Sequence, residues 1–316
     1  MFRDIASILL LFFLSGCDDR SAAPLRVGLT LWPGYEPLYL ASSLGYLDSA
    51  QVTLVDTTSP QGSIQGLRNG DLDAAALTLD EVLLLVDQDV PLQVVLLFDY
   101  SNGGDAILAD NAITGVAGLK GRRVGLESSA LGTYLLSRAL EGQGMSLDAV
   151  ERRYIKVGDQ QQAMASGEVD AVVTFDPVRS QLLAEGAREI FTSREIPREI
   201  IDVLAVHRDA LQQHPERVRH LVAAWYRALG YLEVQPQTAY ETMGRRLKQD
   251  KAGVEQSFSG IELLDHTDNQ RLLGRGAFEP SPVSASATGL AYIMVGQQML
   301  HDLPDIDALF SAEYLQ

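Results

Sequence analysis

The chain has 316 residues, of which 46% are hydrophobic and 21% are charged, and its formal net charge is −17. This length and composition are typical of a soluble globular protein with two domains, each large enough to bury its own core. So strong a negative charge argues against nucleic acid as a partner, because phosphate contacts require clustered lysine and arginine.

The N-terminus has the features of a bacterial lipoprotein signal. An apolar run over residues 8–14 is short for a membrane span, and it leads into the sequence Leu-Ser-Gly-Cys, which ends at Cys17 and resembles a lipobox. We therefore expect residues 1–16 to be a cleaved signal peptide. Cys17 is the only cysteine, so its lipidation would leave no thiol for a disulfide, a thiolate metal site or a nucleophile.

The lipid would fix the location of the protein. Residues 17–24 are small and polar, and we expect them to be a lipidated tether. Acyl chains on Cys17 would hold the protein on a membrane. Asp18 resembles the inner-membrane retention signal of Gram-negative lipoproteins, which predicts a periplasmic protein anchored to the inner membrane.

The next segment alternates short apolar strands with helices. Strands are predicted at 25–31, 52–56, 74–78 and 92–98, and helices at 35–44 and 61–67, with Asp80 placed to cap a third helix. Strands that are apolar throughout and separated by helices indicate a parallel sheet covered on both faces. Residues 99–104 are rich in turn-forming types and are predicted to be the first hinge.

The same pattern then restarts. Strands are predicted at 123–127, 154–157, 171–175 and 189–192, and helices at 130–141 and 160–166. A further helix is predicted to open at Asp176, with Pro177 in its first turn. A strand at 201–206 would carry the chain back to the first lobe. Helices predicted from residue 215 and at 237–247, 253–258 and 282–298 would then pack on that lobe.

Two short motifs recur at one offset. Arg-Val-Gly-Leu begins at Arg26 and again at Arg123, 97 residues later. Gly-Asp-Leu-Asp-Ala begins at Gly70, and Gly-Glu-Val-Asp-Ala begins 97 residues later at Gly167. A shared register indicates a duplication. The sequence therefore predicts two α/β lobes, with residues 25–101 plus 203–316 in the first and 102–202 in the second, and a ligand between them.

In open parallel sheets, ligands bind beyond the carboxyl ends of the strands, where helix N-termini offer free amides. The candidate ligand-binding residues are those of the loops at these ends. In the first lobe they are Thr30, Trp32, Gly34, Tyr35, Thr78, Asp80 and Tyr100. In the second lobe they are Glu127, Ser128, Ser129, Gly132, Thr174, Phe175 and Asp176. Thr78 and Thr174 both begin a Thr-x-Asp motif, so the duplication pairs these two loops.

The chemistry of these loops is aromatic and acidic, without lysine or arginine. Aromatic faces beside carboxylates suit an amine, a quaternary nitrogen or a protonated heterocycle. Ser128 and Ser129 lie at a helix N-terminus, which suits a carboxylate or sulfonate. A small zwitterion or a polar heterocycle would satisfy both. The alternatives remain open that Asp80 and Asp176 only cap helices and that Trp32 and Tyr35 belong to the core.

Enzymatic functions find little support. The five histidines lie outside the candidate loops, and none of the four lysines ends a strand there, so a histidine base, a metal site and a Schiff-base lysine are not expected. No phosphate-cradling or dinucleotide motif is present. We predict a protein that is not an enzyme and that has no metal and no cofactor.

Five segments together resemble a known family, namely the periplasmic substrate-binding proteins of ABC transporters in the nitrate/sulfonate/taurine and thiamine-precursor group. The resemblance covers roughly residues 25–235 and rests on residues 29–41, 73–81, 99–105, 125–129 and 170–177. It implies a two-lobed, type II-like binding-protein fold that closes on its ligand by a hinge motion.

The resemblance also implies partners. They are a small-molecule ligand and an inner-membrane permease, and the protein is expected to be a monomer. The family resembles a pyrimidine-precursor synthase that uses a cysteine-rich motif, which this chain lacks. A ligand sensor that signals to a membrane kinase or cyclase is the alternative function on the same scaffold.

Overall fold

The computed structural model describes residues 23–274 and 281–315. Cys17, Asp18 and the predicted signal peptide lie outside the described residues. Within the described part, none of the helices combines the length and the apolar character that crossing a membrane requires.

The described residues form eleven strands and twelve α-helices in mixed order. The strands are β1 (Leu25–Leu29), β2 (Val52–Asp56), β3 (Ala74–Thr78), β4 (Leu92–Ser101), β5 (Asp105–Ala109), β6 (Arg123–Leu126), β7 (Glu151–Tyr154), β8 (Ala171–Phe175), β9 (Arg188–Thr192), β10 (Ile201–His207) and β11 (Ile261–Leu263). The helices are α1 (Glu36–Ser43), α2 (Pro60–Asn69), α3 (Leu79–Asp87), α4 (Ala130–Glu141), α5 (Val157–Ala165), α6 (Val178–Ala184), α7 (Arg208–Gln213), α8 (Pro215–Val234), α9 (Pro236–Leu247), α10 (Lys251–Phe258), α11 (His266–Leu273) and α12 (Pro282–Gly296).

The strands form two sheets, one in each lobe. The first has the order β11-β4-β10-β3-β1-β2 and the second the order β7-β6-β8-β5-β9. β10 runs antiparallel to β3 and β4, and β11 runs antiparallel to β4. β5 runs antiparallel to β8 and β9. Four of six strands in the first sheet and four of five in the second therefore share one direction, and the predicted α/β class with mostly parallel sheets is confirmed.

The recurring motifs form the same ion pair in each lobe. The Arg26 guanidinium donates to both carboxylate oxygens of Asp73 at 3.0 and 2.8 Å. The Arg123 guanidinium donates to Asp170 at 3.0 and 2.9 Å. In both lobes the backbone N–H of the arginine donates to the same carboxylate. In each lobe the arginine of one motif and the aspartate of the other thus form a bidentate clamp. The clamp ties the start of a strand to the turn before the neighbouring strand.

Several predicted boundaries were wrong. β4 continues through Ser101, so only residues 102–104 form the turn that was predicted for 99–104. The extension follows from pairing on both edges, since Asp99 is the register partner of Asp202 in β10 and of Leu263 in β11. β7 lies at Glu151–Tyr154 and not at 154–157, because the parallel register pairs it with β6 from Arg123 onward.

The return to the first lobe takes place before β10. This strand begins at Ile201 and lies wholly in the first sheet, so the predicted boundary between residues 202 and 203 falls inside it. β5, β11, α7 and α11 were not predicted. α8 packs on α1, and its buried Trp225 ring lies 4.7 Å from that of Phe98. α12 packs on α3 and α11, and its Gln297 donates to Glu141 of α4 at 2.9 Å.

Candidate functional site

A small cavity of about 30 Å³ lies between the two sheets. In the first lobe its wall combines residues that follow β1 with residues of α2, β3, α3 and β10, and in the second lobe it combines residues of β5, β8 and the start of α4. The lining residues are Thr30, Trp32, Tyr35, Pro60, Ala76, Thr78, Glu81, Asp105, Leu131, Phe175 and Asp202.

Trp32 and Phe175 form the aromatic contact between the lobes. Their ring centroids are 5.9 Å apart, and the planes meet at 78°, an edge-to-face arrangement. The Trp32 indole N–H donates to Asp99 Oδ2 at 3.3 Å. Glycine is required on both sides of this ring. A Cβ at Gly34 would collide with Asp99, and one at Gly104 would lie 2.6 Å from Trp32 Cη2. The two glycines therefore let the indole reach across the cleft.

Tyr35 forms a second wall next to Trp32. Its ring lies 5.5 Å from the Phe98 ring, and its hydroxyl donates to Asp202 Oδ1. Burial, together with the charge of Asp202, raises the tyrosine pKa well above its usual value. Tyr35 is therefore a neutral hydrogen-bond donor at the floor of the cavity.

Two buried carboxyl groups, Asp105 and Asp202, line the cavity, and a third, Asp99, lies beside them. Asp99 of β4, Asp202 of β10 and Asp105 of β5 are all 3% exposed or less. Burial raises the pKa of Asp99 to about 7 and that of Asp105 to about 7. Burial and the neighbouring Asp99 raise the pKa of Asp202 well above its usual value. These acids lie on the strands that join the lobes, so any motion of the lobes changes their surroundings.

The rim on the first lobe belongs to the start of α3. Thr78 is the N-cap residue of this helix, and its backbone N–H donates to Glu81 Oε2 at 3.2 Å. The prediction that Asp80 caps α3 was wrong, because Thr78 and Glu81 form the capping pair. Burial raises the pKa of Asp80 to about 6, and burial with the charge of Asp80 raises that of Glu81 to about 8.

The corresponding acid of the second lobe is tied to its own helix. Asp176 Oδ1 accepts from the Ser180 backbone N–H at 3.1 Å, and Asp176 Oδ2 lies 3.6 Å from Arg179 Nη1. Arg179 also pairs with Glu189 at 2.5 Å. Pro177 is the N-cap residue of α6. The prediction that it lies in the first turn of this helix was wrong. Asp176 therefore serves the start of α6 and does not line the cavity.

The candidate residues divide between the cavity wall and its surroundings. Those in the wall are Thr30, Trp32, Tyr35, Thr78 and Phe175. Those outside it are Gly34, Asp80, Tyr100, Glu127, Ser128, Ser129, Gly132, Thr174 and Asp176. Gly34 and Asp80 adjoin wall residues, and Thr174 is buried in β8.

The remaining candidates have other partners. Tyr100 faces a second pocket, where Arg198 Cζ is 5.7 Å from its ring centroid. Glu127 accepts from the Val157 backbone N–H at 3.3 Å. Ser128 is exposed, and Ser129 is the N-cap residue of α4 without a side-chain capping bond. Ser128 and Ser129 are therefore outside the wall, to which the start of α4 contributes Leu131.

Sequence reasoning missed the acidic part of the wall. Glu81, Asp105 and Asp202 line the cavity but were not among the predicted residues. A signal was present, because Asp202 stands inside an apolar run and Asp105 stands at the start of one. Within the part of the chain that the structure describes, no group of three or more histidine, cysteine, aspartate or glutamate residues is arranged to hold a metal ion.

Two α/β lobes with a cavity between their sheets, connected by residues 102–104 and 193–200, define the class of the periplasmic binding proteins. The NMT1-like family matches residues 18–245, and the chain belongs to this family. The resemblance to the nitrate/sulfonate/taurine group of substrate-binding proteins, stated from the sequence, is confirmed.

The similar proteins include both binding proteins and enzymes. A binding protein of Brucella abortus is 24% identical over 98% of this chain and 97% of its own length. The alkanesulfonate-binding protein of Xanthomonas axonopodis pv. citri, solved with MOPS bound, matches with a TM-score of 0.75 and 20% identity over 91% of this chain and 96% of its own. That similarity supports the fold. The 4-amino-5-hydroxymethyl-2-methylpyrimidine phosphate synthase of Aspergillus parasiticus is 24% identical over 67% of this chain and 68% of its own length.

Proposed function

We propose that the protein is the solute-binding component of an ABC importer and captures a small polar organic solute between its lobes. The observation that carries the proposal is the buried interlobe cavity, whose wall places aromatic rings of both lobes beside unpaired polar groups. A cavity that combines apolar walls with a few convergent polar groups is typical of a small-molecule site.

Hinge motion would admit the solute. A cavity of about 30 Å³ has room for very few atoms, so a solute enters only when the lobes separate. The turn between β4 and β5 suits a hinge, because Gly103 has a φ of 104°, a conformation that other residues rarely adopt. Closure would bring Trp32 and Phe175 together around the solute.

The partner and location follow from the family and the N-terminal motif. Lipidated Cys17 would tether the protein to the periplasmic face of the inner membrane, where a permease would receive the solute. The Xanthomonas relative binds alkanesulfonates, and the full-length Brucella relative is described as a binding protein. We propose a monomeric receptor of this kind, not an enzyme.

The test uses the aromatic contact. A thermal-shift screen of amines, sulfonates and pyrimidines should identify a solute that stabilises the wild-type protein. In Trp32→Ala and Phe175→Ala we expect binding of that solute, measured by calorimetry, to weaken about tenfold or more, a loss of about 1.4 kcal/mol. The control is Tyr292→Ala, since this aromatic residue is 61% exposed. Unchanged affinity in both cavity variants would contradict the site.

A further inference from the structure

We propose that the solute bound in this cavity is an organic cation, and that buried carboxyl groups of both lobes provide its counter-charge and exclude free anions. This proposal rests on the proposed function and specifies its ligand. It departs from the Xanthomonas relative, which binds alkanesulfonates.

The charges around the cavity are strongly unbalanced. Glu81, Asp105 and Asp202 line it, and each is 3% exposed or less. The residues of the wall include no lysine, arginine or histidine. Arg179 is a buried cation near this region, and it is already paired with Asp176 and Glu189.

A free anion would be repelled wherever these carboxyl groups are ionised. Two like charges 4 Å apart cost about 4 kcal/mol at the effective dielectric constant of a protein surface, and more where water is excluded. A sulfonate would also lack the arginine or lysine donors that usually pair with it. A cation would instead neutralise charge that burial makes unfavourable.

A second, independent observation points to a ligand that donates hydrogen bonds. Glu81 lines the cavity, and its Oε1 is buried without a hydrogen-bond partner among the described residues. Asp99 Oδ1 and Asp80 Oδ2 belong to residues outside the wall, and they are likewise buried without a hydrogen-bond partner. Buried acceptors left without donors cost about 1–3 kcal/mol each. The N–H groups of an ammonium or a protonated heterocycle would satisfy such acceptors.

The aromatic residues complete the fit. Trp32, Tyr35 and Phe175 also line the cavity, and the face of an aromatic ring attracts a cation electrostatically. A wall that contains both carboxyl groups and aromatic rings is complementary to a compact cationic head group.

When no cation is bound, the carboxyl groups around the cavity are neutralised by protonation. Burial raises the pKa of Asp80 to about 6, of Asp105 to about 7 and of Glu81 to about 8. The other groups that face this cluster are Asp99, Asp176, Asp202, Glu127, Tyr35 and Arg179. A bound cation favours the ionised carboxylates, so binding should release protons and tighten as the pH rises from 6 to 8.

The experiment compares matched ions of opposite charge. Ethylammonium is paired with ethanesulfonate, and benzylammonium with benzenesulfonate, in calorimetry on the mature protein at pH 6 and pH 8. We expect at least one of the cations to bind about tenfold tighter at pH 8, with proton release visible as a dependence on the buffer's ionisation enthalpy. Neither sulfonate should bind.

Variants provide the second arm. Glu81→Gln keeps an oxygen for the Thr78 backbone N–H but removes the charge, and Asp105→Asn does the same in the second lobe. Each should weaken the cation about tenfold or more, whereas Asp148→Asn, at an exposed position, should not. Circular dichroism confirms that each variant is folded.

The proposal fails if a sulfonate binds and the cations do not, if neither cation binds, or if cation affinity is the same at both pH values and in both cavity variants. Each of these results would overturn the cationic ligand. The proposal of solute capture would fail separately if the protein bound none of the amines, sulfonates and pyrimidines in the wider screen.

Discussion

Replacing Asp105 with asparagine should make the protein more stable at neutral pH. Asp105 lies in β5 at the floor of the cavity, is 3% exposed, and burial raises its pKa from 3.8 to about 7. A shift of about three pKa units corresponds to about 4 kcal/mol. Asparagine has nearly the same shape and carries no charge, so it avoids this cost.

The sign follows from the raised pKa. Below pH 4 both the folded and the unfolded chain hold the proton, and the carboxyl group costs nothing. Between pH 4 and pH 7 the unfolded chain loses its proton first, so the wild-type free energy of unfolding falls as the pH rises. The Asp105→Asn variant carries no ionisable group at this position, so its free energy of unfolding does not fall in this way. Its stability relative to the wild type should therefore increase by about 3 kcal/mol from pH 5 to pH 8.

The assay is urea-induced unfolding at pH 5 and pH 8, followed by tryptophan fluorescence. Asp148→Asn is the matched control, because that carboxyl group is exposed, and its relative stability should be the same at both pH values. If Asp105→Asn gains no stability over the wild type between pH 5 and pH 8, Asp105 is not an uncompensated buried acid, and the electrostatic argument is refuted.

Three further predictions concern other parts of the chain. Arg26→Met and Arg123→Met should each lower the free energy of unfolding by about 1 kcal/mol in urea titrations, and their effects should add because the clamps lie in separate lobes; strong non-additivity would contradict this. Gly104→Ala should displace the Trp32 indole and destabilise the protein by about 1–3 kcal/mol, with a shift in tryptophan emission; an unaltered spectrum would count against the close contact. Cys17→Ser should move the protein from the membrane fraction to the soluble periplasm in detergent partitioning, whereas continued membrane retention would exclude the lipid anchor.

The duplicated part of the fold was predictable because its signals are local. Strands β1, β3 and β8 are short apolar runs with glycine or polar residues at their ends, and the repeated motifs set their equivalent places in the two lobes. The first motif begins with an arginine and the second has an aspartate in its fourth position, so the pairs Arg26 with Asp73 and Arg123 with Asp170 repeat at the same spacing. Their pairing within each lobe needed the three-dimensional structure.

The antiparallel strands depended on pairing between distant segments. Asp202 faces Asp99 only because β10 inserts between β3 and β4, and no local pattern predicts that insertion. The same pairing extends β4 past residue 98. Since successive side chains of a strand point to opposite faces, Asp99 contacts Trp32 beside the cavity whereas Tyr100 faces the pocket with Arg198. Tyr100 was predicted to lie in a loop after β4, but it lies within this strand.

The aromatic half of the site was predicted and the acidic half was largely missed. Trp32, Tyr35 and Phe175 follow strand ends, where the rule for parallel sheets applies. Asp105 begins a crossover strand and Asp202 lies within one, and these strands pair through the antiparallel register outside that rule. The chemistry predicted from the loops was a small zwitterion or a polar heterocycle, and only its positively charged nitrogen agrees with the carboxyl groups that line the cavity.

Native mass spectrometry of the mature protein from its own periplasm tests the central claim most directly. We expect wild-type protein to retain a small molecule with a basic nitrogen, and Trp32→Ala, purified in parallel, to have lost most of it. Wild-type protein without any bound small molecule, or a Trp32→Ala variant that retains the same molecule at the same occupancy, would contradict solute capture in the interlobe cavity.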